Sequence, residues 1–249
     1  MIMRDNYIRI TKRERSAPVY RFTTIEQLLN MVVQKINILV APHKWDDPFE
    51  NALAKHISLL RPDGSTSHYP FRNRAYGQCW TLTKETDAFW RMYVPKGSGV
   101  RLCSTIRKLY KSLEDKCPVP YASMACFIGK VDYKSSKEIT YLFNDKEWVN
   151  NNFRGQGTYG HVNTLLLKRK EFEPENEVRL LYLDPLNKDH GAFFLYLIEP
   201  SSVIEEVTFD PRMEDTQYST YESILRNYGF AGEINKSDLY KAPDIEIRI

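Results

Sequence analysis

The sequence predicts an α+β domain built on a largely antiparallel or split sheet with flanking helices. Hydrophobic residues make up 42% and charged residues 27% of the 249 residues, which is typical of a globular chain with a sizeable core. Strand-like and helix-like segments alternate early and strands cluster late, without a regular βαβ rhythm. No repeat or linker interrupts the chain. We therefore expect one domain over residues 1–249, with its core at about 18–240.

The chain opens with a strand, a helix and a second strand. Residues 19–22 alternate in the manner of a strand, and Thr23 or Thr24 is positioned to cap a following helix. Residues 25–34 place their apolar side chains along one face, which predicts that helix. Residues 35–42 then predict a strand closed by Pro42.

The rest of the chain carries weaker signals of the same kinds. A loop holds residues 45–51, and a helical patch follows at 52–60. Further strands are predicted at 76–83, 124–133, 177–183, 192–198 and 203–209, and helices at 87–93, 104–115 and within 140–170.

Composition and missing motifs exclude several classes of protein. No run of 18 apolar residues occurs and the start lacks an apolar signal segment, so we expect a cytoplasmic protein without membrane contact. The four cysteines show no CxxC spacing, which favours reduced thiols over zinc. No phosphate loop, HExxH or GxSxG motif is present, and no metal site is expected.

Positive charge is concentrated in two stretches, residues 4–15 and 72–111, although the net charge is only +3. Residues 72–111 include Arg72, Arg74 and Lys96, interleaved with tyrosines, tryptophans and a phenylalanine. Basic groups among aromatic rings are suited to RNA or single-stranded nucleic acid. The alternative is an ordinary solvated face.

Polar side chains stand on three segments that otherwise resemble core strands. Arg21 lies between Tyr20 and Phe22, so it must be paired or face a cleft. The pleat of a strand puts Thr81 and Thr83 on one face. Glu175 and Glu177 share a face if their strand has begun, and neighbouring carboxylates repel each other.

The order of several short motifs resembles a widespread uncharacterised bacterial domain family. The resemblance covers about residues 20–237. Its motifs here are Asp47-Pro48-Phe49-Glu50, Cys79-Trp80-Thr81 with Trp90 and Tyr93, Phe172 with Glu175, Glu177 and Arg179, Phe209-Asp210-Pro211-Arg212-Met213, and Ile234-Asn235-Lys236-Ser237.

The same layout resembles the ADP-ribosyltransferases, in which an Arg, a Ser-Thr-Ser strand and a Glu-x-Glu strand surround NAD on a split sheet. The resemblance implies that Arg21, next to Tyr20, steadies the NAD phosphates or ribose. Glu177 would bind the nicotinamide ribose and stabilise its developing cation. Glu175 would act on the acceptor.

The remaining roles follow from the same resemblance. Thr81 and Thr83 match the hydroxyls of the Ser-Thr-Ser strand, and the first of these braces the catalytic glutamate. An aromatic ring stacks on nicotinamide in this family, and Tyr93 or Trp90 is placed for it. Pro174 precedes Glu175, so the strand is expected to begin near that position.

The resemblance implies an NAD-dependent mono-ADP-ribosyltransferase acting as a bacterial toxin in a toxin–antitoxin or anti-phage system. NAD is its co-substrate, and RNA or another nucleic acid bound by Arg72, Arg74 and Lys96 is its expected acceptor. The alternatives are an NAD glycohydrolase, or a non-catalytic nucleic-acid or protein-binding module with a degenerate transferase-like fold.

Purely structural roles for the same residues remain as alternatives. In the structural interpretation, Glu175 and Glu177 are solvated charges at a strand edge. Trp90 and Tyr93 have the i,i+3 spacing of neighbours on a helix, and in that interpretation they belong to the core. Arg21 is alternatively an ion-pair partner of Asp47 or Glu50.

Overall fold

The structure is a computed structural model that describes residues 5–45, 58–60, 63–68, 74–120, 122–154, 158–186 and 190–243. The Asp47-Pro48-Phe49-Glu50 motif and Arg72 lie outside these residues. The predictions made for them, including an ion pair of Arg21 with Asp47 or Glu50, stay predictions.

The described strands are short and irregularly spaced along the chain. They are β1 (Tyr7–Ile8), β2 (Pro18–Thr24), β3 (Ile36–Val40), β4 (Ser58–Leu60), β5 (Thr66–His68), β6 (Ala75–Thr81), β7 (Gly99–Thr105), β8 (Cys126–Lys130), β9 (Asp132–Lys134), β10 (Leu167–Arg169), β11 (Glu177–Leu183), β12 (Phe193–Leu197), β13 (Glu206–Phe209) and β14 (Glu233–Lys236).

The described helices lie between these strands. They are α1 (Ile25–Gln34), α2 (Asp87–Tyr93), α3 (Ile106–Glu114), α4 (Ser136–Asn144), α5 (Lys146–Val149), α6 (Thr158–Leu165), α7 (Pro200–Val203) and α8 (Asp215–Asn227). A π-helical turn spans Asn150–Arg154, and a 3₁₀ helix spans Lys170–Glu175. In the described part of the chain, no helix combines the length and apolar content needed to span a bilayer.

A ten-stranded sheet dominates the molecule. Its main path runs β1-β8-β11-β6-β2-β7-β13-β14, and β3 joins β6 and carries β12 on its other side. Only the β1–β8 and β13–β14 pairs in this sheet are parallel. The fold is therefore α+β with a mostly antiparallel sheet, as the distribution of elements along the sequence predicts.

The sheet forks at β6, because β2 and β3 share one edge of that strand. Tyr20 of β2 pairs with Thr81 near the end of β6, whereas Val40 of β3 pairs with Gly77 four residues earlier. β2 continues along β7 instead, over its whole length. β2 and β3 therefore separate beyond Tyr20, and a gap opens between the two branches of the sheet.

The opening strand–helix–strand unit confirms the sequence prediction. The Thr24 hydroxyl accepts a hydrogen bond from the Gln27 N–H at 3.2 Å, which satisfies a free donor of the first turn of α1. Ile25, Leu28, Met31 and Val32 form the buried face of this helix, and Lys35 ends it in the left-handed conformation. α1 thus packs against both branches of the fork.

The two faces of the central strands have different environments. Alternate residues of β11, Val178, Leu180 and Tyr182, join the large core that α1 and α3 cover. Leu181 and Leu183 face the other way, into a smaller core with Phe127 and Leu166. Glu177 and Arg179 precede these leucines on that second face.

Three predicted segments differ from the structure. The helical patch at 52–60 is wrong at its end, because Ser58–Leu60 pairs with Thr66–His68 as a small hairpin. The strand predicted over 76–83 ends at Thr81, so Thr83 lies beyond it. The helix expected within 140–170 is divided into α4, α5 and α6 and is followed by β10.

Two side chains converge on Gly77 at the fork and leave no room for a Cβ atom. A Cβ atom there would stand 2.7 Å from the Trp45 ring and 2.9 Å from the Leu181 side chain. Trp45 in turn packs over the Arg179 guanidinium, 4.5 Å from the ring centroid. The missing side chain of Gly77 therefore lets Trp45 reach the face that carries Arg179.

We expect Gly77→Ala to lower the free energy of unfolding by about 1–3 kcal/mol, because the added methyl overpacks this site. Urea unfolding measures the change. The same substitution in a Trp45→Leu background should cost less, since one of the two close contacts is gone. An equal cost in both backgrounds would show that Trp45 does not occupy this position.

Candidate active site

A row of paired residues crosses the second face of the sheet. Glu177 of β11 pairs with Thr81 of β6, Thr81 pairs with Tyr20 of β2, and Tyr20 pairs with Cys103 of β7. Because directly paired residues share a face, Glu177, Thr81 and Tyr20 point to the same side. Three of the residues singled out in the sequence therefore lie side by side.

Glu175 and Glu177 meet, but not as neighbours on one strand face. Glu175 ends the 3₁₀ helix Lys170–Glu175, and Asn176 takes the left-handed conformation with φ 44°. Only Glu177 belongs to β11. The strand has not begun at Glu175, so the condition for a shared face is not met: the left-handed Asn176 separates Glu175 from β11, a conformation that asparagine adopts more readily than most residues.

Lys168 joins the two carboxylates from a separate two-stranded sheet, β9–β10. Its Nζ lies 2.7 Å from Glu175 Oε2 and 3.2 Å from Glu177 Oε2. Arg179 binds Glu177 on both oxygens, with Nε 3.0 Å from Oε1 and an outer nitrogen 2.8 Å from Oε2. Two carboxylates and two cations thus form one buried ion cluster.

The cluster keeps Glu177 ionised. Its side chain is only 4% exposed, and such burial alone would raise the pKa of a carboxyl group. The Arg179 and Lys168 charges and a hydrogen bond from Cys79 outweigh burial and lower the pKa of Glu177 to about 2. A permanent negative charge is therefore present at the start of β11.

Thr81 braces this region through the backbone. Its hydroxyl donates to the Glu175 carbonyl oxygen at 2.6 Å and accepts from the Thr83 N–H at 3.0 Å. Thr81 therefore fixes the segment that carries Glu175, rather than the Glu177 side chain. Thr83 contributes its backbone here, because β6 has ended and the strand alternation no longer holds.

The three aromatic candidates differ in their access to a ligand. Trp90 is completely buried, packs edge-on against Phe22, and donates to Glu85 at 2.7 Å, so its ring is core. Tyr20 is also buried, next to Arg101. Tyr93 is 43% exposed and is the one of these rings with a free surface. Burial of its hydroxyl and the Glu175 charge raise the pKa of Tyr93.

Tyr133, on β9, contacts the backbone of Glu177. Its hydroxyl accepts the backbone N–H of Glu177 at 2.9 Å. Burial raises the pKa of this phenol, although the hydrogen bond from Glu177 opposes the rise. Tyr133 therefore stays a neutral hydroxyl beside the carboxylates.

Arg21 lines a cavity of about 310 Å³ within the fork of the sheet. One wall is apolar and includes Ile38, Phe193 and Leu195, while α1 and the amides of Asn37 and Gln78 supply polar groups. Among the described lining residues Arg21 alone is charged. The Arg21 side chain forms no hydrogen bond or ion pair with any described residue. Burial lowers the pKa of its guanidinium.

Cys79 links the cavity to the ion cluster. Its thiol forms a hydrogen bond with the Glu177 side chain, and it also interacts electrostatically with Arg21. Strand alternation puts Arg21 on the face opposite Tyr20, but the fork begins directly after Tyr20. Arg21 and Glu177 therefore start from opposite faces of the sheet, and Cys79 interacts with both.

The residues expected to bind an acceptor are not gathered around Glu175. Arg74 precedes β6, at the end opposite Thr81, and is about 20 Å away along an extended strand. Lys96 is exposed in the turn that follows Tyr93. Of the described candidates, Lys96 is the one on the Tyr93 side.

Sequence reasoning missed Lys168, Cys79 and Tyr133 as members of the site. The sequence signal for Lys168 is its position directly after the apolar run Leu165-Leu166-Leu167 and seven residues before Glu175. Tyr133 and Cys79 give no comparable signal, since tyrosine and cysteine are ordinary strand residues.

The arrangement combines a fixed anion, neutral hydroxyls and a cavity lined by Arg21, which has no ion-pair partner among the described residues. Such a site can stabilise positive charge near Glu177 and bind an anionic group at Arg21. Among the described residues, no cluster of three or more His, Cys, Asp or Glu side chains is arranged to hold a metal ion.

A family model described as a protein of unknown function (DUF2971) matches residues 89–180. This range includes Trp90, Tyr93, Phe172, Glu175, Glu177 and Arg179. Cys79-Trp80-Thr81 and the motifs near the two ends lie outside it. No curated protein matches the chain.

Three solved structures of DarT from Thermus sp. 2.9 are similar over most of the chain. The complex with carba-NAD+ is 12% identical, with a TM-score of 0.39, and the alignment covers 89% of this chain and 96% of that one. The complexes with NAD+ and with ADP-ribosylated ssDNA are 10% and 11% identical, with TM-scores of 0.40 and 0.42. Both cover 92% of this chain and 97% of the other. At TM-scores this low, the similarity does not by itself assign an activity to this chain.

We expect Glu177→Gln to lower the free energy of unfolding by about 3 kcal/mol, because it leaves Lys168 and Arg179 with less compensating charge in a buried site. The double variant Glu177→Gln/Arg179→Met should recover part of this loss. Denaturant unfolding measures both values. Glu173→Gln, which changes an exposed carboxylate nearby, is the control and should be neutral.

The same loss should depend on pH. Since the folded-state pKa of Glu177 is lowered, its ionised form contributes stability that is complete above its ordinary pKa of 4.5 and is lost as pH falls through about 2. The stability difference between the unmodified protein and Glu177→Gln should therefore shrink between about pH 5 and pH 2. A difference that stays constant over this range would contradict the lowered pKa.

Proposed function

We propose that the protein is an NAD-dependent mono-ADP-ribosyltransferase with an ADP-ribosyltransferase-like split sheet. One observation carries the proposal: Cys79 interacts both with the ionised, buried Glu177 and with Arg21, which among the described residues is the one charged residue that lines the cavity. Cleavage of NAD needs these two charges, one near the ribose and one near the phosphates.

The proposed reaction exchanges one bond at the ribose anomeric carbon. The C1′–N bond to nicotinamide breaks, and nicotinamide leaves as a neutral base with the bonding electrons. The ribose then carries oxocarbenium-like positive charge, which the Glu177 carboxylate stabilises. An acceptor nucleophile bonds to C1′ and gives up its proton. Glu175 is the proposed acceptor of that proton, because its side chain is 17% exposed and lies nearer to solvent than that of Glu177.

The cavity is suited to the phosphate-bearing part of the co-substrate. Its volume of about 310 Å³ is at the lower end of the range for ligand pockets, so it accommodates part of a dinucleotide. We propose that Arg21 binds the pyrophosphate and that the apolar wall at Phe193 and Leu195 packs against a planar ring. Tyr93 is the proposed platform for nicotinamide, since Trp90 is enclosed in the core.

Tyr20, Thr81 and Thr83 keep supporting roles in this proposal. The Thr81 hydroxyl holds the Glu175 segment, and the Thr83 backbone closes the same turn. Tyr20 stands between Thr81 and Cys103 in the row of paired residues and walls the site at the origin of the fork.

The proposed acceptor is RNA or another nucleic acid that approaches from the Tyr93 side. Lys96 and the aromatic surface of Tyr93 support this direction. The proposed toxin role, and with it an antitoxin partner, comes from the family resemblance alone.

The test is incubation with NAD that is radiolabelled on its adenylate, with RNA, single-stranded DNA or cell lysate added separately. We expect label on one class of macromolecule and none with Glu177→Gln. Free ADP-ribose without transfer would indicate a glycohydrolase. If the folded protein consumes no NAD under any of these conditions, the enzyme proposal is wrong and a binding module is favoured.

A second variant separates loss of activity from loss of folding. Arg21→Met removes a charge that has no partner among the described residues, so the melting temperature should change little. The Kd for NAD should rise roughly tenfold to a hundredfold, because a charge-assisted contact to phosphate is lost. Arg13→Met, at an exposed arginine, is the control. Equal affinity for NAD in both variants would contradict the phosphate role.

A further inference from the structure

Lys168 contacts both carboxylates, yet the two depend on it to different degrees. Glu177 has both of its oxygens bound by Arg179, so it keeps a cation without Lys168. The Glu175 side chain has no hydrogen-bond partner other than Lys168 among the described residues. Removal of Lys168 would therefore release Glu175 and leave Glu177 paired.

The surroundings of Lys168 hold its ammonium group in one place. The side chain is only 8% exposed, and the Phe172 ring lies 4.9 Å from its nitrogen. A buried ammonium is costly unless it is paired, and an aromatic face adds a favourable contact. β10 also fixes the backbone of Lys168 by parallel pairing with β9, where it opposes Tyr133.

Glu175 would otherwise be loosely held. It is the last residue of a short 3₁₀ helix, and its carbonyl oxygen, not its carboxylate, is bound by Thr81. The carboxylate of Glu177 lies on the same ammonium group and repels that of Glu175. The Lys168 contact at 2.7 Å therefore decides where the Glu175 carboxylate points.

We propose that Lys168 is a positioning residue that holds Glu175, and not Glu177, in place for the acceptor step. The inference rests on the proposed transferase function. In that reaction Glu177 serves cleavage of the C1′–N bond, and Glu175 takes the proton of the attacking acceptor. Lys168 thereby sets the ratio of transfer to hydrolysis, because a displaced Glu175 lets water compete for the same cation.

The experiment measures two products from one reaction. Lys168→Met, Lys168→Arg, Glu175→Gln and the exposed control Lys170→Met are each incubated with labelled NAD and with RNA, single-stranded DNA or lysate protein as acceptor. Labelled macromolecule reports transfer, and free ADP-ribose reports hydrolysis. Thermal unfolding of each variant confirms that it is folded.

We expect Lys168→Met to lower the transfer-to-hydrolysis ratio at least tenfold, because a misplaced reacting group has effects of this size. Glu175→Gln should lower the ratio similarly, and the double variant Lys168→Met/Glu175→Gln should not lower it further. Lys168→Arg should restore much of the ratio, and Lys170→Met should not change it. A merely structural role would lower both products together and leave the ratio unchanged.

Three results would overturn the inference, and they can be told apart. An equal fall of transfer and hydrolysis in Lys168→Met would show that Lys168 does not act through Glu175. Hydrolysis by the unmodified protein without label on any acceptor would show that no acceptor step exists to be positioned. Absence of NAD consumption by the unmodified protein would reject the proposed function itself, and the inference with it.

Discussion

The buried ion cluster of Lys168, Glu175, Glu177 and Arg179 is the constraint on which the candidate site depends. A buried charge is costly if it stands alone, and each charge in this cluster has an opposite charge in contact with it. They come from β10, the 3₁₀ helix and β11, so the cluster also fixes these three segments relative to one another. A local electrostatic requirement thus determines the geometry of a wider region.

The fork at β6 supplies the second half of the site. A continuous sheet would leave no space between β2 and β6, because neighbouring strands lie close enough to hydrogen-bond along their length. Here β2 leaves β6 after a single pair, at Tyr20 and Thr81, and β3 pairs with β6 only at Val40 and Gly77. Residues of both branches line a cavity, and Arg21 is one of them.

The two halves have complementary electrostatics. Arg179 and Lys168 keep Glu177 ionised and hold it in place, whereas Arg21 has no ion-pair partner among the described residues. A buried carboxylate held in this way keeps a fixed negative charge, and an arginine without an ion-pair partner in a cavity favours an anionic ligand. Cys79 interacts with both residues and marks where the two functions adjoin.

The sequence by itself determined the local elements and the identities of several residues at the site. The cap at Thr24 and the apolar face of α1 are encoded within a few residues, and the structure begins and ends this helix as predicted. The family resemblance implied that Thr81 braces the catalytic glutamate; Thr81 pairs with Glu177 in the sheet, but its hydroxyl binds the Glu175 carbonyl oxygen. The burial of Trp90 agrees with the reading that its helical spacing marks core.

Only the tertiary structure decided how these residues meet. The sequence left open whether the strand had begun at Glu175; in the structure the left-handed Asn176 separates Glu175 from β11, and a lysine from another sheet contacts both glutamates. Lys168 precedes Glu177 by nine residues, and neither helical nor strand periodicity relates the two. Periodicity reports which side of one element a residue faces, whereas the meeting of separate elements depends on packing and charge compensation across the whole molecule.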